Sequence, residues 1–387
     1  MIIAVLGFAV GWIVLMSIRT AGNATDVPRY HTYGEAVRHG QVPYRNFRLE
    51  YPPGSLFAFV VPALVAAGSR GYRIAFEALM GLCGAGVILA TALALARLRG
   101  RTAPSLAFVA IAILALGPIA LGHYDLLPAL LVSAGVAALL WERLTTAAVV
   151  IGLAIAAKLY ALVLVPLAVI WLWRRFGRRR AAIWLGWVAA IALVCFLPFL
   201  ILSPGGVLRS LSDQAGRPLQ IESSAAAALL AAHRLVSLQI GVEFSHNSVN
   251  LGGRSAAIAS ATTVAAEILL LAFVWLRFAR GGVDSRSLVR SSTVTVFVFV
   301  LLGKVFSPQF LLWLIPLVPL VGGMLAVGGS ALLGVAVLLT RAYFPGRWSD
   351  LIRFEALPTW LLLTRDGLLL LLVAALLVAE LRNREAR

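Results

Sequence analysis

Apolar runs of about 17 residues or more recur along the whole chain, and each can cross a hydrocarbon core of about 30 Å as a helix. Inside lipid, backbone amides and carbonyls must be satisfied within the spanning structure, which leaves helices or a closed barrel. The alternating segments of about ten residues that build barrels are absent. The chain is therefore expected to be an all-α polytopic membrane protein. Composition agrees: 61% of the 387 residues are hydrophobic and only 13% are charged. Soluble domains carry about 25% charged residues, so an ordinary soluble enzyme is excluded. Disorder is excluded as well, because it requires low hydrophobicity.

The formal net charge of +17 would suggest nucleic acid in a soluble protein. Here the basic residues sit in short segments between apolar runs, where they specify topology instead, and no nucleic-acid partner is expected. Of the 33 basic residues only Lys158 and Lys304 are lysines. In so arginine-rich a chain a single arginine says little, whereas a lysine stands out. Cys83 and Cys195 lie within apolar runs and show neither disulfide nor metal spacing.

Residues 1–18 form an uninterrupted apolar segment without a basic leader or a small-residue cleavage site, read as a retained first span. A polar stretch, residues 20–53, follows. Further apolar segments lie near 54–67, 71–96, 104–121, 125–141, 145–157, 159–173, 181–202, 256–276, 291–303, 309–323, 324–340 and 359–379. Arginine clusters at 97–101, 174–180, 277–290 and 382–387 are assigned to the cytoplasm by the positive-inside rule. Parity then requires that 54–67, short and interrupted by Pro62, does not cross. About twelve spans result, with both termini cytoplasmic. Residues 20–53, 203–255 and 341–358 then face outward, with Gly122–Asp125, Lys158 and 304–309 on the same side. The whole chain, 1–387, reads as one transmembrane domain.

The chemistry-bearing residues converge on that outer face. Asp26 follows the first span. Over residues 27–39, Tyr30, Tyr33 and Val37 share one helical face, with Arg29, Glu35 and Arg38 elsewhere, as in an amphipathic helix lying on a membrane surface. Gly40 is a natural stop for it. Arg45, Glu50 and Pro52–Pro53 complete the loop, whose tyrosines serve equally as interface anchors. His123 and Asp125 precede the next span, and Asp125 is either an N-cap or a functional acid suited to a divalent metal or a sugar. Lys158 interrupts AIAAKLYALVLVP; it either snorkels to the interface or receives a phosphate. Lys304, Ser307 and Gln309 surround a helix break at Pro308, which is tolerated where freed backbone lines a cavity. Arg217, Gln220 and Glu222 in the second long loop are candidate sugar or acceptor contacts. Glu77 and Glu267 lie inside apolar runs, where acids are functional by default.

In order, the chain carries an acid after its first span, PYRNFRLEYPP, GHYD, AAKLYALVLVP, GRPLQIESS and KVFSPQFLLWLIP. This series resembles the actinobacterial polyprenyl-phosphate-sugar-dependent glycosyltransferases of family 87, in the C-type membrane superfamily, over about residues 26–316. The resemblance implies a C-type bundle, Asp26 as catalytic base, and a polyprenyl-phosphate-sugar donor whose phosphate is held by Lys158 and Lys304. It implies Asp125 at the second acidic position of the superfamily, where a divalent metal is one possible role, and no other cofactor. Mannose is expected over arabinofuranose, with a cell-envelope glycolipid or glycan as acceptor. Transport of a lipid or solute is the competing expectation for a chain with many spans and intramembrane acids.

Overall fold

A computed structural model describes residues 1–18, 25–282 and 284–385, with side chains through residue 380. The first residues of the 20–53 loop, up to 24, and Arg387 lie outside the described residues, as do the side chains of Arg382 and Arg384. The chain divides into two compact units, Met1–Ala215 and Gly216–Arg387.

Among the described residues the named elements of the first unit are all helices or helical turns. It contains α1 (Ile2–Ile18), α2 (Val27–Arg38), α3 (Leu56–Val65), α4 (Gly68–Leu98), α5 (Thr102–Ala115), α6 (Pro118–Gly122), α7 (Leu126–Leu140) and α8 (Leu144–Ala157). A 3-10 turn, Leu159–Leu164, leads into α9 (Val165–Phe176), α10 (Arg178–Leu202) and α11 (Pro204–Ala215). The helix predicted after residue 26 forms, and Gly40, at φ +78°, closes it. Its amide reaches back to the Val37 carbonyl at 2.9 Å, the left-handed stop that a glycine accepts without strain. The tyrosine face does not lie on a lipid surface. Tyr30 and Tyr33 are buried, and Tyr30 stacks on Phe59 of α3 at 4.3 Å. Gly34 permits this approach, since a Cβ there would stand 2.3 Å from the Phe59 carbonyl oxygen. An aromatic face gains more from a dry, stacked contact than from an interface, and α3 supplies it.

The second unit contains α12 (Ser224–Val236), a hairpin of β1 (Gly241–Ser245) and β2 (Ser248–Gly252), α13 (Arg254–Arg280), α14 (Ser285–Leu302), α15 (Leu311–Leu314), α16 (Gly323–Tyr343), α17 (Trp348–Ile352) and α18 (Ala356–Glu385). Region 203–255, expected as a long loop, is thus largely structured. His246 and Asn247 turn the hairpin with positive φ, and Val249 and Leu251 bury one of its faces among Leu219, Ile221, Leu230 and Leu362. The apolar segment 309–323 is not one helix. Pro308 and Pro319 confine it to two 3-10 turns flanking the single turn α15, because neither proline donates a backbone hydrogen bond.

Among the described residues seven helices are long and apolar enough to cross a membrane: Gly68–Leu98, Leu159–Phe176, Arg178–Leu202, Arg254–Arg280, Ser285–Leu302, Gly323–Tyr343 and Ala356–Glu380. Seven further apolar helical segments of 10–17 residues lie among the described residues, the turn-broken Pro308–Val321 counted as one of them. The chain is an all-α membrane protein, with one small hairpin among the described residues.

Candidate active site

In the first unit the tip of α2 brings together residues widely separated in sequence. Asp26 occupies the N-cap position of α2, but its side chain makes no capping bond. Thr25 takes that task, its Oγ1 accepting from the Val27 amide at 3.1 Å. The Asp26 amide donates to the Gly122 carbonyl at 3.1 Å, tying α2 to the GHYD turn. The carboxylate is thereby left for other partners. Tyr30 and Tyr51 hydroxyls donate to Asp26 Oδ2 at 3.2 and 3.4 Å. These are long for O–H···O bonds, as expected of a site that tightens around substrate. Burial first, then Tyr51 and Asp26, push the Tyr30 phenol well above its ordinary range. Burial, then Asp26 and Glu50, do the same to Tyr51. Both phenols therefore remain protonated donors.

An arginine and a histidine flank the carboxylate. Arg29 Nη2 lies 3.9 Å from Asp26 Oδ1, and Arg29 Nη1 lies 3.4 Å from Glu50 Oε2. Burial works against the Arg29 charge, but Asp26 and Glu50 outweigh it and raise its pKa. His123 Nε2 lies 3.9 Å from Asp26 Oδ2. Its Nδ1 contacts the Ile119 carbonyl at 2.9 Å. A carbonyl only accepts, so Nδ1 carries the hydrogen, and Nε2 faces Asp26 as a lone pair in the neutral ring and as a donor in the imidazolium. Glu50 also accepts from the Tyr33 hydroxyl at 3.3 Å.

Beside this cluster lies an ion pair. Asp125 starts α7 without a side-chain cap bond, and Lys158 Nζ donates to its Oδ1 at 2.5 Å. Side-chain exposures are 16% for Lys158 and 1% for Asp125. Neither capping by Asp125 nor simple snorkelling by Lys158 describes these side chains. Lys158 stands where α8 ends, with extended backbone, and its ammonium lies 4.8 Å from the Tyr124 ring centre. Tyr124 in turn packs edge-on against Tyr30 and Tyr51, so the aromatic cluster is continuous from Asp26 to Lys158. Arg45 is exposed and lines a cavity with residues of α11 instead.

The second unit gathers the other candidates. The Gln220 amide donates to the Lys304 carbonyl at 2.9 Å, and Gln220 Nε2 donates to Ser307 Oγ at 2.9 Å. Gln309 is half-buried in the turn after Ser307, and Arg217 is half-buried just before Gln220. Burial and then Arg217 lower the Lys304 pKa, while Glu267 opposes them. Glu267 is thus within electrostatic reach of Lys304, a pairing its sequence context does not reveal.

Glu222 is 2% exposed and central to a network absent from the sequence reading. Tyr343 hydroxyl donates to its Oε1 at 3.0 Å. Arg365 donates to the Glu222 carbonyl, the Tyr343 hydroxyl and Asp366 Oδ1, each at 2.7 Å. Its guanidinium lies 4.0 Å from the Phe306 ring centre. Burial first, then Asp366, raise the Glu222 pKa from 4.5 to about 8, against Arg365 and the Tyr343 bond. Glu222 and Arg365 are structural anchors of this unit. Gln220, two residues before Glu222, lies against Ser307 and Lys304.

Among the described residues no three His, Cys, Asp or Glu side chains gather as metal ligands, and the Asp125 carboxylate is engaged by Lys158. The family model for glycosyltransferase family 87 matches residues 49–308. No curated protein matches the chain.

Proposed function

The chain belongs to glycosyltransferase family 87 and is a membrane glycosyltransferase; on that premise we propose that it uses a polyprenyl-phosphate sugar as donor. Mannose is favoured over arabinofuranose, and the acceptor is a cell-envelope glycolipid or glycan at the outer face of the cell membrane. The orientation follows the arginine clusters, with both termini cytoplasmic and about twelve crossings, 309–323 included despite its turns and 54–67 left out.

The observation that carries the reading is the Asp26 carboxylate, released from capping and addressed by two phenols, an arginine and a histidine. Asp26 accepts the proton of the acceptor hydroxyl as its oxygen attacks the anomeric carbon. The bond from that carbon to the phosphate oxygen breaks, its electron pair stays on the phosphate, and the anomeric configuration inverts. The Tyr30 and Tyr51 donors orient the base. Lys158 supports the departing phosphate, trading its contact with Asp125 for the growing negative charge. A fixed cation there is worth several kcal/mol when water is excluded. Phosphate leaves without a strong general acid, in keeping with a cluster built around one base. In the second unit Lys304 remains a candidate phosphate cation, with Ser307, Gln309, Gln220, Glu222 and Arg217 as candidate polar contacts or their supports.

The test is transfer by purified protein in lipid, with polyprenyl-phosphate mannose and polyprenyl-phosphate arabinofuranose supplied in parallel and envelope glycolipids as acceptors. Transfer that disappears in Asp26→Ala supports the reading and names the donor. Folded protein that transfers neither sugar to any acceptor overturns the polyprenyl-phosphate donor assignment.

A further inference from the structure

A second feature of the first unit lies apart from the Asp26 cluster. The loop before residue 50 and helix α11 enclose an open cavity of about 560 Å3, lined by Arg45, Asn46 and Arg48 on the loop and Arg209, Ser210 and Asp213 on the helix. Its walls are fastened together. At Gly206 a Cβ would stand 2.1 Å from the Tyr44 carbonyl oxygen, so helix and loop touch backbone to backbone. Ser203 Oγ donates to the Tyr44 carbonyl at 3.0 Å, Ser210 Oγ to the Leu49 carbonyl at 2.8 Å, and Gln214 Nε2 to the Glu50 carbonyl at 2.9 Å.

The cavity holds excess positive charge. Asp213 pairs with Arg48 at 2.5 Å. Arg45 and Arg209 make no ion pair among the described residues, so their two guanidiniums remain for an anion. The surroundings indicate what kind of anion. Helix α10, whose apolar window is only 6% buried, ends at Leu202, just before α11 begins. Ile201, Leu202 and Leu208 are 71%, 47% and 61% exposed. Apolar side chains turned outward beside unpaired guanidiniums are the pattern of a membrane interface that holds acidic lipid.

We propose that this cavity binds the phosphate-bearing headgroup of an anionic lipid. Arg45 and Arg209 hold the phosphate in charge-assisted hydrogen bonds, and the acyl chains run along Ile201, Leu202 and Leu208. The site stands on its own geometry. Its role rests on the glycosyltransferase reading, under which it anchors a lipid acceptor. The loop ends at Glu50, whose carboxylate meets Arg29 and Tyr33 beside Asp26.

Binding is tested on the purified full chain in neutral detergent, with a fluorescent short-chain phosphatidylglycerol as probe. Unlabelled phosphatidylglycerol, phosphatidylcholine of equal chain length and inorganic phosphate compete. Phosphatidylglycerol should displace the probe at concentrations at least about tenfold below the other two. The double variant Arg45→Gln/Arg209→Gln should weaken phosphatidylglycerol at least about tenfold with an unchanged melting temperature. Arg179→Gln, which removes an exposed charge at the opposite end of α10, should bind as wild type does. Asp26→Asn should also bind unchanged, so loss of transfer and loss of lipid binding are read separately. Wild-type affinity in the double variant overturns the proposal, as does phosphatidylcholine competing equally. Equal competition by inorganic phosphate overturns the lipid assignment and leaves a site for free anions.

Discussion

Asp26, Lys158 and Glu222 each carry a measurable consequence at the scale of single residues. Asp26→Asn keeps the shape of the side chain and the Tyr30 contact but removes the base. Transfer should fall by about a hundred- to ten-thousand-fold with the melting temperature held, as steady-state assay and thermal unfolding of the same preparation will show. Lys158→Met removes the ammonium that meets the Asp125 carboxylate in a nearly closed environment. The expected loss is about 3–5 kcal/mol of stability, most of it recovered in Lys158→Met/Asp125→Asn; denaturant unfolding of the two variants decides this. Glu222 has a folded-state pKa raised from 4.5 to about 8. The folded state therefore holds this proton more tightly than the unfolded one. The associated stability is complete below about pH 4.5 and is lost as pH rises through about 8. Melting temperature against pH should show that decline in wild type, and Glu222→Gln should flatten it. Asp26, Asp125 and Lys158 were legible in the sequence because a charge stands out among apolar neighbours. Which partner each charge takes was not legible. Asp125 meets Lys158 only because the start of α7 packs beside the end of α8. Arg365 and Asp366 carried an equally strong signal inside a leucine run, but discounting arginine in so arginine-rich a chain conceals it.

At the scale of elements, the position of Asp26 depends on how closely α2 lies on α3. Gly34→Ala drives a methyl group into the Phe59 carbonyl. Overpacking of this kind costs about 1–3 kcal/mol, and the shift of α2 should carry Asp26 with it. Melting temperature and turnover should therefore fall together in this variant, unlike in Asp26→Asn, where only turnover falls. Helix periodicity and Gly40 revealed α2 in the sequence. Its burial stayed hidden, because Tyr30 and Tyr33 suit an interface and a dry core equally well until α3 is placed. The helices and hairpin of 203–255 were obscured by a composition of alanine, serine and glycine that suits loop and helix alike. Segment 309–323 shows the reverse, since its hydropathy promised one helix while its prolines dictated turns.

At the scale of the whole molecule, the membrane character was plain from apolar run lengths, and seven helices meet the requirement outright. Sidedness rests on arginine distribution and has a direct test. In a background with Cys83 and Cys195 replaced by alanine, a cysteine at His246 should react with a membrane-impermeant maleimide added to intact cells. A cysteine at Arg179 should react only after the membrane is opened. The reverse labelling would invert the topology and move the active site to the cytoplasm. The division into two units had no counterpart in hydropathy, which reports the depth of a segment but not its neighbours.

The Arg365 network also bears on how the chain enters its membrane. A guanidinium and a carboxylate within one span each add to the cost of insertion, even in a helix as apolar as α18. Asp366, the adjacent residue, offsets part of that cost before any tertiary contact exists. The other partners of Arg365 are the Glu222 carbonyl, the Tyr343 hydroxyl and the Phe306 ring. All three precede it in the chain, so they have left the ribosome before α18 does. The segment thus emerges after its receptor has been made, and those earlier partners add to what the apolar length of α18 already contributes to holding it in the bilayer.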